Sequence, residues 1–157
     1  MSQFPRPEYD SFLGQLLEDI SDQRIEPLGA VQDGVDPLES ANFDAFIAQL
    51  FALGIDTALC RYGEDAMHCA FVYDHSDQQQ SLHDAYIITA AQWILVSSSA
   101  MYASCQENQW TLTMTKWAKW REGFLSVAED AQHGAECRKI AERVADMMAL
   151  EEKAAKG

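Results

Sequence analysis

No residue from Ala85 to Gln106 carries a charge, and a stretch of this length must either cross a bilayer or be enclosed by the rest of its own protein. A helix of about 20 apolar residues matches the ~30 Å hydrocarbon layer. Thr89, Gln92, Ser97, Ser98, Ser99 and Ser104 dilute the run, and no basic cluster flanks it to set an orientation. It therefore reads as a helix over about 82–105, apolar nearly all round and contacted on every side. Such a helix is the hub of a bundle, and no membrane association is expected.

The remaining segments repeat the helical period. Tyr9, Phe12, Leu13, Leu16, Leu17 and Ile20 recur at spacings of three and four, which predicts a helix from Glu8 to about Asp22 with one buried stripe. Pro27, Gly29, Gly34 and Pro37 make residues 24–38 read as a loop. A helix over about 40–53 follows on Phe43, Phe46, Ile47 and Leu50, with Gly54 as its stop. Asp56 can cap a short helix near 57–62, and another runs from residue 64 or 65 to Tyr73 with Cys60, Met67 and Phe71 inward. After the polar linker HSDQQQS and the hub helix, Thr113 caps a helix bearing Trp117, Trp120, Phe124 and Val127. The last helix, about 134–153, carries Cys137, Ile140, Ala141, Val144, Met148 and Ala149. No segment alternates with period two. The expected architecture is all-α: a single-domain bundle of about six helices around a long central apolar helix, spanning 1–157, with 1–7 and 153–157 flexible.

Charge narrows the choice of partner. The formal net charge of −14 opposes phosphate, so nucleic acid is not an expected partner. Residues 1–60 hold eleven acids against two bases, whereas 110–157 hold eight of each. That asymmetry reads either as a solvated face or as a surface for a basic partner. The opening MSQFPRPEYD has neither a basic leader nor an apolar core, so a cytoplasmic location is expected. Cys60, Cys69, Cys105 and Cys137 lack the spacing of a zinc site or of a disulfide framework and read as free thiols.

Within this frame, TMTKWAKWREGF (113–124) and ECRKIAERVADMMALEE (136–152) resemble the C-terminal signature, W-x-x-W-[KR]-[DE]-G-F, of a fungal helical family catalogued only as a domain of unknown function. NFDAFIAQLFALGI (42–55) and AYIITAAQWIL (85–95) are similar to that family's earlier helices in the same order, so the resemblance covers about residues 40–152. Many members carry a longer insert where this chain has QENQW (106–110), which marks it as a shortened member. The resemblance implies fungal origin and a helical fold, and it brings no catalytic residue. Trp117, Trp120 and Gly123 match as signature positions only.

The residues most able to carry chemistry are aromatic. Tyr86, Trp93 and Tyr102 on the hub helix and Trp117 and Trp120 on the next are read either as plain core or as the wall of a cavity for an apolar ligand, with Phe71 adding to that wall. Gln92 either ties two helices together or points a donor into that cavity. His68 is read either as a core histidine or as an acid–base group. His75, His83, Asp74 and Asp84 flank the polar linker without the spacing of a known metal motif, so no metal is expected.

No dinucleotide, P-loop, nucleophile-elbow or Mg²⁺ motif occurs, so no cofactor is expected either. The leading expectation is a cofactor-independent cyclase or isomerase, pericyclic in one version, acting on an apolar small molecule of fungal specialised metabolism. Its candidate wall is Phe71, Tyr86, Trp93, Trp117 and Trp120, and its polarising groups are His68 and Gln92. The alternatives are a non-catalytic interaction module with an acidic face, which includes a homodimer, and a small-molecule carrier.

Overall fold

The computed structural model describes residues 6–156. Seven α-helices follow one another: α1 (Arg6–Gln23), α2 (Pro27–Gln32), α3 (Glu39–Ala52), α4 (Cys60–Phe71), α5 (Gln80–Gln106), α6 (Met114–Glu129) and α7 (Ala135–Lys156). A 3₁₀ turn, Thr57–Leu59, leads into α4 and is capped by Asp56, whose side chain accepts from the Ala58 N–H. There is no strand among the described residues, and the chain is one all-α domain.

Helix α5 is the hub. Ala90, Ala91, Trp93 and Ile94 have no exposed surface, and α5 packs against α3, α4 and α7 along its length. It bends at Ser97, which leaves helical geometry at φ −136° and ψ 36° while its hydroxyl donates to the Trp93 carbonyl 2.6 Å away. A serine that bonds back one turn competes with the helix ladder and bends it. Helices α5 and α7 run parallel, because the Cys137 thiol approaches the Asp84 carbonyl near their starts and Ser98 donates to Glu151 near their ends. Helix α6 returns between them, entered through the expected cap: the Thr113 hydroxyl accepts from the Lys116 N–H.

Three local expectations give way. Residues 24–38 contain the short helix α2, since Pro27 stands at the first helical position, where its fixed φ and missing N–H do no harm. The 57–73 region is one 3₁₀ turn running straight into one helix, without a break at residue 63 or 64. The α1 stripe is covered only at its C-terminal end: Ile20 is buried and Leu16 and Leu17 partly so, while Phe12 stays 69% exposed. Tyr9, at the head of that stripe, lies outside the described side chains. Helix α7 continues to Lys156; residues 1–5 and Gly157 lie outside the described residues.

One buried carboxylate joins four segments. Asp44 on α3 is 1% exposed and accepts from Arg24 through Nε at 2.9 Å and Nη2 at 3.1 Å, and from the Trp93 indole N–H at 3.0 Å. Arg24 also donates to Asp65 at 2.9 Å and to the Tyr62 carbonyl at 3.3 Å, with its guanidinium over the Tyr62 ring. Burial works against the Arg24 charge, but Asp44 and Asp65 outweigh it and hold the group firmly protonated. Around this point the packing is close. A Cβ on Gly63 would meet the Trp93 ring at 2.9 Å, so only glycine lets α4 lie on that indole.

Removing one partner of a buried ion pair strands the other and costs about 3–5 kcal/mol. Asp44→Ala should lose about 3 kcal/mol in urea unfolding, because it leaves the Trp93 N–H unpaired and strips Arg24 of its buried partner while the exposed Asp65 remains; a loss under about 1 kcal/mol would show that water replaces the carboxylate freely.

Candidate functional site

The outward face of α4 floors an open groove of about 1850 Å³. Gly63, Ala66, Met67, Cys69 and Ala70 are buried, while Arg61, Asp65 and His68 stand exposed on the other side of the helix. Leu17 and Arg24 at the end of α1 border one side; Lys116, Lys119, Trp120 and Gly123 of α6 border the other. Wall and floor meet where the Phe71 ring lies on Gly123, whose added Cβ would be 2.6 Å from it, and packs edge-on against Phe124 at 4.8 Å. That contact gives the glycine of the W-x-x-W-x-x-G-F sequence a physical reason.

At the centre of the floor His68 is exposed, with its ring edge-on to Tyr73 at 5.1 Å. The core alternative for this histidine is therefore set aside: it stands one residue from Met67 on the helix, about 100° away from the buried face. The half-buried Phe71 supplies apolar lining beside it, and Trp120, buried at 6% exposure, adds only an edge.

At one end Trp110 adopts φ 55°, a conformation unusual for so large a residue, and holds its indole 53% exposed under the Arg61 guanidinium at 5.2 Å. Nearby Glu64 accepts from Lys116 and Thr111. Burial acts to raise the Glu64 carboxyl, but these partners outweigh it and hold it below its usual range.

At the other end three histidines meet. His75 and His83 stack at 4.1 Å, and His83 meets His133 edge-on at 4.9 Å. The His75 Nε2 lies 2.7 Å from the Cys69 carbonyl, and the His83 Nε2 lies 3.3 Å from that of Ala70. The His133 Nδ1 is 2.6 Å from the Asp84 carboxylate, whose other oxygen accepts from the Gly134 N–H at 2.8 Å. Burial opposes the Asp84 charge, yet His133, the Gly134 N–H and Gln80 together hold its carboxyl below the ordinary value.

The remaining expected residues lie elsewhere. Trp93 and Trp117 are buried, and each indole N–H is occupied, by Asp44 and by Glu152 at 3.2 Å respectively; Trp117 also packs against Tyr102 at 4.8 Å. The Tyr86 hydroxyl accepts from the Leu28 N–H at 3.3 Å. Gln92 donates to the Ile88 carbonyl of its own helix at 3.1 Å, so it neither ties helices together nor faces the groove. The space opens over α4 rather than between the two tryptophan-bearing helices, and of the expected set it gathers His68, Phe71 and Trp120. Sequence reasoning passed over Tyr73, Trp110 and His133 as site residues. Burial pushes all four thiols up, Cys60 to about 11 and Cys69, Cys105 and Cys137 to about 12, so none is a ready nucleophile.

A family model described as a protein of unknown function (DUF3632) matches residues 9–124, from α1 into α6. The chain belongs to this family. The DUF3632 match begins earlier than the resemblance over 40–152 and stops at Phe124, before α7. No curated protein and no solved structure matches the chain. No helix among the described residues is long and apolar enough to cross a membrane.

Burial and the neighbouring His75 depress His83 below its ordinary 6.5. The unfolded chain then binds a proton that the folded chain refuses, so this contribution is complete above pH 6.5 and is lost as pH falls through the folded value. Stability from urea unfolding should decline as pH falls below 6.5, ahead of the carboxylates; His83→Gln should flatten that limb, and an unchanged slope would remove His83 as its source.

Proposed function

We propose that this DUF3632 protein binds a small molecule with an apolar body in the α4 groove and cyclises or isomerises it without an organic cofactor. The observation that carries the reading is His68, exposed on the groove floor with its ring edge-on to Tyr73 and the half-buried Phe71 one turn along the same helix. An imidazole with water access and an aromatic wall can hold a flexible substrate while it gives or takes a proton, and such a group contributes about 10²–10⁴-fold in rate. Trp110 supports the reading, since a strained and exposed indole at the rim suits contact with a guest. Fungal origin, the tryptophan signature, a place in specialised metabolism and a cytoplasmic location belong to the same proposal, as does the carrier alternative, in which the groove binds without turnover.

The test has two arms. cis-Parinaric acid, an apolar polyene that fluoresces on binding, should bind saturably, and Trp110→Ala, at the exposed rim, should weaken it about tenfold. Among conjugated polyene ketones followed by chromatography, at least one should isomerise, and His68→Gln should cut its rate about 10²-fold or more with polyene binding intact. Saturable binding without conversion selects the carrier; no saturable binding removes the groove as a ligand site.

A second reading rests on α1. Phe12 is exposed on α1 and Glu18, Asp19 and Asp22 are exposed about two to three turns further along it, an acidic helix surface with one apolar group for a basic protein or a second copy. Asp44 drops out of that acidic face, being consumed by Arg24. Changing Glu18, Asp19 and Asp22 to amides should then weaken a captured partner in a salt-dependent way and leave polyene binding unchanged; insensitivity of the complex to both salt and the changes would dispose of it.

A further inference from the structure

The histidine end of the groove holds a group that the proposed chemistry does not use. Asp84 on the first turns of α5, His133 in the α6–α7 turn and Cys137 in the first turn of α7 bring one carboxylate oxygen, one ring nitrogen and one sulfur within 4.8 Å of one another. Cys137 is 1% exposed and His133 7%. We propose that these three side chains form a binding site for a single Zn²⁺ ion that fastens the start of α5 to the start of α7.

The donor set suits the ion. Thiolate and imidazole together select a borderline-soft divalent metal and disfavour Mg²⁺ and Ca²⁺, which require oxygen ligands. Bonds of about 2.0–2.3 Å in a tetrahedron place ligand atoms roughly 3.3–3.8 Å apart. The Asp84–His133 hydrogen bond of 2.6 Å therefore opens by less than about 1 Å while the sulfur closes by a similar amount, a movement within reach of side-chain rotation.

Protons balance in the binding step. The thiol proton of Cys137 passes to solvent as the sulfur bonds the metal, and the ring proton of His133 moves from Nδ1 to Nε2 as Nδ1 takes the metal. A second, independent feature faces that relocated N–H: the Asp130 carboxylate stands 3.9 Å from Nε2, outside hydrogen-bond distance, and would have to close by about 1 Å to accept from it. Histidines that bind metals usually donate their other ring N–H to such a carboxylate, which fixes the tautomer. Asp84 itself is steadied by the Gly134 N–H, so its second oxygen is held while the first can ligate. The Gln80 amide nitrogen lies 2.9 Å from Nδ1 and donates to the ligating oxygen of Asp84 at 3.2 Å, so it must swing aside as the ion enters, and a water completes the fourth position.

Thiol reactivity alone does not account for this arrangement, because burial and the Asp84 charge keep Cys137 protonated in the metal-free protein. The ion would supply the positive charge that releases the proton. The site shares no residue with the His68 centre.

Tag-free full-length protein should take up one equivalent of Zn²⁺ in competition with a chromophoric chelator. Co²⁺ in its place should give a thiolate-to-cobalt charge-transfer band in the near ultraviolet and the visible absorption of a tetrahedral ion. Cys137→Ser should abolish the charge-transfer band, whereas Cys69→Ser should leave it. Asp130→Asn should keep the band and weaken Zn²⁺ about 10–100-fold, a readout that a purely structural aspartate would not move. Circular dichroism of each variant checks that it folds, and the wild-type cobalt spectrum needs no variant at all. Binding that is not stoichiometric, or a band that survives Cys137→Ser, overturns the site. Polyene binding and the His68→Gln result are read on the metal-free protein, so either proposal can fail alone.

Discussion

The Asp44 carboxylate is the constraint around which the bundle is arranged. An ionised carboxyl at 1% exposure is tolerable only with its hydrogen bonds made, and the Arg24 fork and the Trp93 indole make them. Those three residues come from α3, from the segment after α1 and from the middle of α5, so satisfying one charge sets the relative position of three elements. Arg24 then reaches Asp65 and the Tyr62 carbonyl and adds α4. With α3, α4 and α5 held this way, the outer face of α4 is left uncovered between α1 and α6, and the groove follows.

The same tie explains why the groove lies where it does. Trp93 and Trp117 have large rings that would suit a binding wall, but each has its N–H engaged and its faces packed. A ring so placed contributes burial to the hub. The aromatic groups left for a guest are Phe71, half-buried on α4, Tyr73 beside His68, and Trp110 at the rim, while Trp120 is buried and shows the groove no more than an edge. Function, on this reading, has been placed on the second layer of the bundle while the first layer is given over to holding it together.

Much of the fold was legible because it is periodic. The uncharged run of α5, the Thr113 cap and the three- and four-residue spacing of Trp117, Trp120, Phe124 and Val127 all speak through neighbours in sequence. Pro27 misled because proline breaks a helix interior yet suits its first position. His68 was ambiguous because Met67 and Cys69 beside it are buried, and only the phase of Gly63, Met67 and Ala70 shows that it points out. The Arg24–Asp44 and Asp44–Trp93 bonds span 20 and 49 residues, and no local pattern announces such pairs. His133 and Trp110 stand in turns, where periodicity carries no information about direction.

The parallel packing of α5 and α7 reaches further than shape. Cys137 lies opposite Asp84 and Glu151 opposite Ser98, and in each pair the partners are 53 positions apart in the chain. Equal offsets at both ends mean that the two helices are latched twice in one register. A slide of one turn would have to undo both latches together, so shear between them is suppressed. The α6 wall of the groove, which packs along α7, inherits that register.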